Sequence, residues 1–198
     1  MMSAIGQRST STAREGHILG WVAFAVGAAF LGLAALLIGG ETLADPGGWR
    51  GVALTLAWLV PLLALAALAA LRPAAALVVL GVLTLVPVGL AVWAVVDPEP
   101  MRALEERMGP VTLVVLVVVA AGLVVLGLTR PRAAGILLLV ASVVPATLSL
   151  VRIEGQSIGL GATVVIAAPL VVTGVLFLLD ARGHSPALHR QARPSTAV

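Results

Sequence analysis

The run Val111-Thr112-Leu113-Val114-Val115-Leu116-Val117-Val118-Val119-Ala120-Ala121-Gly122-Leu123-Val124-Val125-Leu126-Gly127-Leu128-Thr129 spans nineteen residues without a charge. At 1.5 Å rise per residue, a helix of that length measures about 28 Å, close to the ~30 Å hydrocarbon core of a bilayer. The run is continuously apolar, with no alternation between lipid-facing and lumen-facing residues, so a helix is preferred over a barrel strand. In lipid every backbone N–H and C=O must be satisfied internally, and a continuous helix achieves that.

The same pattern repeats on both sides. Five further uncharged stretches are Ile18–Gly40, Val52–Leu71, Ala74–Val96, Ala133–Val151 and Ile158–Leu179. Apolar residues make up 60% of the 198, about 119, and six spans of roughly 20 residues need about 120. A soluble domain carries only about 45–50%. The expected fold class is therefore all-α: a polytopic integral membrane protein with six transmembrane helices in residues 18–179. The flanking tails, 1–17 and 180–198, are polar, lack apolar periodicity and are expected to be disordered. The first stretch is too long for a signal-peptide core and is read as a retained helix.

Absences narrow the chemistry. The chain has no Cys, no Lys and no Tyr, and all twelve basic residues are Arg. Disulfides, thiolate metal sites, Schiff-base lysines and the lysine of a nucleotide loop are excluded. No basic patch with interleaved aromatics points to nucleic acid. The Arg-only, Ala/Gly/Val/Leu-rich usage is associated with a high-G+C bacterial genome, so the expected location is a bacterial plasma membrane.

Charge placement sets the expected orientation. With the N-terminus inside, the inner segments hold eight Arg (8, 14, 72, 130, 132, 182, 190 and 194) against Glu15 and Asp180. The outer segments hold Arg50, Arg102, Arg107 and Arg152 against seven acids, Glu41, Asp45, Asp97, Glu99, Glu105, Glu106 and Glu154. That divides the net +3 into +6 inside and −3 outside. The positive-inside rule places both termini in the cytoplasm, with Arg14, Arg72, Arg130, Arg132 and Arg182 as orientation determinants.

A repeat underlies the spans. Arg72-Pro73-Ala74-Ala75-Ala76 aligns with Arg130-Pro131-Arg132-Ala133-Ala134 at an offset of 58 residues, and Thr84-Leu85-Val86-Pro87 with Ser142-Val143-Val144-Pro145. Eight of seventeen positions match over 72–88 against 130–146, and Arg14 stands one period upstream. An offset covering two spans predicts three helical hairpins, 1–2, 3–4 and 5–6.

Pro61, Pro87, Pro145 and Pro169 lie mid-span and are the helix-kink candidates. Each removes one helical hydrogen bond and crowds the carbonyl four residues back, at Ala57, Leu83, Ala141 and Val165. Thr84 and Ser142, three residues before their prolines, are placed to back-bond along the helix. Fixed packing bends are favoured over transport hinges. Small-residue pairs four apart (Ala23/Gly27, Ala28/Gly32, Ala53/Ala57, Ala66/Ala70 and Gly155/Gly159) permit close helix approach.

Between spans three and four, Asp97 is a candidate N-cap, Pro98 suits the first helical position and Gly109 the end. Met101, Leu104 and Met108 form one apolar stripe, which predicts a short surface helix over about 98–108. Its acids are read as a solvated face. Trp21, Trp49 and Trp93 sit at span edges, as an aromatic belt requires, while Trp58 lies inside its span and is read as packing. His184 and His189 are read as solvated, and no metal site or cofactor is expected.

No Asp, Glu, Arg or His falls inside the six stretches, whereas pumps, voltage sensors and intramembrane proteases need ionisable groups at depth. No HExxH, nucleotide loop or catalytic carboxylate pair occurs. A non-catalytic accessory or scaffold subunit of a membrane complex is the expected function, with the bilayer and another membrane protein as partners. The alternative is a permease or binding subunit for a neutral or lipophilic compound.

Overall fold

The structure is a computed structural model that describes residues 4–44, 48–108, 110–151 and 158–183, with side chains over 18–40, 48–106, 110–148 and 167–183. These residues are all-helical: α1 (Ala4–Ala44), α2 (Gly48–Leu71), α3 (Pro73–Leu83), α4 (Leu85–Val96), α5 (Pro98–Met108), α6 (Val111–Gly127), α7 (Pro131–Val151) and α8 (Ile158–Gly183). Among the described residues four stretches are long and apolar enough to cross a membrane: Ile18–Gly40, Gly48–Leu71, Pro73–Val96 and Pro131–Leu148. A fifth is counted if Pro98–Glu106 and Val111–Gly127, bent by 79°, form one broken span. The sixth expected stretch, Ile158–Leu179, belongs to α8, whose side chains are described only from residue 167.

Three helices depart from the expected boundaries. The backbone is helical from Ala4, so the polar segment 4–17 continues α1 instead of forming a separate tail. No proline interrupts it, and helix propagates more readily than it nucleates. At the other end α8 runs to Gly183, which takes Asp180 out of the expected disordered tail. Its neighbours on the helix face are apolar, and Asp180 is only 6% exposed. Residues 184–198, including His184 and His189, lie outside the described residues. The third expected span is divided at Thr84, a turn residue between α3 and α4, whose N–H still bonds Leu80 O at 2.9 Å. Pro87 follows three residues later and cannot donate to Leu83, which weakens the ladder there. Helices α2, α7 and α8 continue through Pro61, Pro145 and Pro169.

The core is organised around α6. This helix packs against every other one, most extensively α2, and eleven of its seventeen residues are buried. Outside it, α7 and α8 pair as a hairpin. Helix α2, by contrast, lies more fully on α6 than on its sequence neighbour α1, and α1 packs chiefly on α8.

Close approaches fix the relative directions. Gly20 meets Asp180 while Gly27 meets Thr173, so α1 and α8 are antiparallel. Gly127 meets Phe177, and Gly27 touches both Val124 and Thr173, so α6 and α8 run the same way. Gly135 faces Leu178 and the carbonyl of Gly174, while Gly174 faces Leu139, making α7 antiparallel to α8. These directions are those of a chain that reverses with each traverse.

Buried faces follow helical spacing. On α1 they are Gly20, Ala23, Gly27, Leu31, Ala34 and Ile38, and on α8 Ala167, Leu170, Thr173, Gly174, Phe177 and Asp180. The α1 set, and the α8 set apart from Gly174, step by three or four residues, the signature of one packed stripe on a helix. Among the small-residue pairs with described side chains, Ala23 and Gly27 are both buried, whereas Gly32, Ala53, Ala57 and Ala70 face outward. The bundle's outer surface is strongly apolar, with Leu36, Leu71 and Val96 each at least 75% exposed.

Candidate functional site

The α6–α7 turn is built by local bonding. Leu128 N–H donates to Val125 O at 3.2 Å, Thr129 N–H to Leu126 O at 3.1 Å and Arg130 N–H to Leu126 O at 2.8 Å. The Thr129 hydroxyl adds a bond to Leu126 O at 3.1 Å. Pro131 then opens α7, where its missing N–H costs nothing and its fixed φ suits the first turn. The outcome is a tight reversal that leaves Arg130 and Arg132 exposed at one end of the bundle.

Close packing brings α1 and α8 to the same end. Phe177 is fully buried, and its ring lies directly over Gly127, where an added methyl would overlap it. A methyl on Gly20 would be 3.0 Å from Asp180 Oδ2. Only glycine lets both pairs of helices come this near. Between them is a pocket of about 490 Å³ lined by Gly20, Trp21, the 127–133 turn, Asp180 and Ala181. Trp21 is half-exposed at its wall and stacks edge-on against Phe24, with ring centroids 5.8 Å apart.

The pocket unites two orientation residues, Arg130 and Arg132, with an acid assigned to a solvated tail. Arg182 is exposed in the last turn of α8, and Arg72 is exposed between α2 and α3. The Arg14 side chain lies outside the described residues. Pro87 and Pro145 are buried, whereas Pro61 and Pro169 are half-buried. Asp180, Gly20 and Gly127 were missed because apolarity alone bounded the spans; the steps from Leu170 to Thr173, Phe177 and Asp180 carry the buried stripe past the last apolar residue.

The buried hydroxyls bond to backbone carbonyls one turn back along the chain. Thr84 Oγ1 donates to Leu80 O and Ser142 Oγ to Leu138 O, both at 2.7 Å, and Thr173 Oγ1 to Pro169 O at 2.8 Å. The carbonyls that Thr84 and Ser142 engage are therefore not those freed by Pro87 and Pro145. Trp58 is buried against Gly39, and its Nε1–H has no hydrogen-bond partner among the described residues. No group of three His, Cys, Asp or Glu side chains converges among the described residues. Comparison with protein-family models, with curated proteins and with solved structures gives no match.

Proposed function

We propose that this chain is a six-span protein of the bacterial plasma membrane, with both termini cytoplasmic, serving as a non-catalytic accessory or scaffold subunit of a membrane complex. The observation that carries this reading is the burial of α6. From Leu116 to Val124 every residue of α6 is buried, where a transporter would keep a path for its substrate. Val117 and Leu123 are fully enclosed, and Leu65 and Leu80 close on Gly122. A centre filled by apolar side chains offers neither a polar relay nor a binding group.

Further features support the membrane assignment. Exposed Leu and Val cover the flanks at a density that water does not tolerate on a soluble monomer. Trp49 is 80% exposed and Trp21 52%, near the ends of their apolar stretches, where indole rings favour the headgroup region. The antiparallel and parallel relations among α1, α6, α7 and α8 agree with six traverses. The matched surroundings of Thr84 and Ser142 agree with a duplicated hairpin.

Co-purification in mild detergent from native membranes tests the assignment. A stoichiometric non-transport complex is expected. Recovery with an ATPase or permease partner would replace it with a transport component, and a lone monomer would remove both.

A further inference from the structure

We propose that the pocket between the α6–α7 turn, the start of the α1 stripe and the end of α8 binds a singly charged phosphodiester, the headgroup of an anionic membrane lipid. Among the described residues its charged lining side chains are Arg130, Arg132 and Asp180, which leave one formal net positive charge. That balance suits a phosphodiester monoanion better than a phosphate dianion. The guanidiniums are exposed, so they reach a ligand without first being desolvated, and Arg presents paired donors to phosphate oxygens. Asp180 is nine-tenths buried in the opposite wall, next to Gly20. The volume of about 490 Å³ holds a headgroup and lies within the usual range for small-ligand sites.

Depth is the second argument. Arg130 and Arg132 follow the last apolar turn of α6, and Trp21 lies one turn inside the apolar stretch Ile18–Gly40 of α1, so the pocket stands at headgroup level when these helices cross a bilayer. Basic pockets between helices at the cytoplasmic face are suited to anionic lipid headgroups. This placement rests on the six-span reading; the ligand chemistry does not.

The test uses the purified full-length chain in neutral detergent, titrated with dihexanoyl phosphatidylglycerol, dihexanoyl phosphatidylcholine and inorganic phosphate. Binding is read by native mass spectrometry and thermal shift. Phosphatidylglycerol is expected to bind, with choline lipid weaker. R130Q/R132Q should weaken binding about 30-fold, about fivefold per charge, at an unchanged ligand-free melting temperature. D180N, which raises the local charge to +2, should tighten it about fivefold. Competition by inorganic phosphate at equal concentration would assign the same anion site to a free phosphate instead of a lipid. Undiminished binding by R130Q/R132Q overturns the site. If that variant fails to fold, D180N decides: tighter binding supports the site and unchanged binding overturns it. Failure to recover a protein complex would refute the scaffold role and leave these titrations unaffected.

Discussion

Thr84 and Ser142, 58 residues apart, occupy equivalent places: each is 1% exposed and each donates its hydroxyl to the carbonyl four residues back at 2.7 Å. The equivalence extends along both helices. Ala76 and Ala134 are fully buried, Leu80 and Leu138 nearly so, and Pro87 and Pro145 are both enclosed. At the helix starts, Arg72 and Arg130 each donate N–H four residues back at 2.8 Å, to Leu68 and Leu126. Local sequence and local environment therefore match at these positions, although the helix breaks at Thr84 and runs unbroken through Ser142.

Those hydroxyls should contribute little to stability. Leu80 O also accepts the Thr84 N–H at 2.9 Å, so losing the hydroxyl leaves no orphaned acceptor. T84V and S142A are expected to stay within about 1 kcal/mol of wild type, since replacing a bonded polar group by an apolar one of similar shape is nearly neutral. Polar contacts inside helical membrane proteins average only about 0.6 kcal/mol. Reversible unfolding in mixed micelles measures this, and a loss of 3 kcal/mol or more, well above the ~1 kcal/mol expected, would show that the hydroxyls hold more than their own helix.

Gly127 makes the opposite prediction. A methyl there would overlap the ring of Phe177, which is itself fully buried. G127A should destabilise by about 1–3 kcal/mol, the usual range for overpacking. F177L should recover part of that loss in the double variant, because the two substitutions share one space. G32A is the control: nothing lies within 4 Å of that position, so it should be neutral or stabilising by up to about 1 kcal/mol.

The α7–α8 seam depends on a second glycine pair. A methyl on Gly135 would be 2.8 Å from Gly174 O, whereas one on Gly174 would be 3.2 Å from Gly135 O. Backbone cannot swing aside as a side-chain tip can. G135A is therefore expected to cost more than G174A, and both should lower the melting temperature in detergent. Equal, negligible shifts would mean that the two helices are not in this close contact.

How much of this was legible follows from what apolarity records. The helices themselves, the surface-active sequence at Pro98–Met108 and the grouping of Arg130 with Arg132 are visible because charge and hydropathy are properties of single residues. The central position of α6 is not, since α6 and its neighbours are equally apolar and only relative burial separates them. Asp180 misled for a related reason: a charge after Leu179 reads as the end of a span. Its burial depends on Gly20 in a helix about 160 residues away. The break at Thr84 likewise has the same proline signal as the unbroken α7.

The bend between α5 and α6 gives the topology its sharpest test. Pro98–Glu106 and Val111–Gly127 meet at 79°, and Thr112 Oγ1 donates to Glu105 Oε1 across the bend at 3.4 Å. Met101 is 2% exposed, which turns the apolar side of α5 onto the bundle, while Glu99, Glu105 and Glu106 remain exposed. On the proposed six-span topology such a helix lies along the membrane surface at the end opposite Arg130 and Arg132, the two sites being separated by the length of α6. The chain has no cysteine, so single-Cys variants report without background. In intact cells an impermeant thiol reagent should label E105C and leave R132C unlabelled until the membrane is opened. Labelling of R132C alone would invert the orientation, and labelling of both from outside would mean that α6 does not separate them across the membrane.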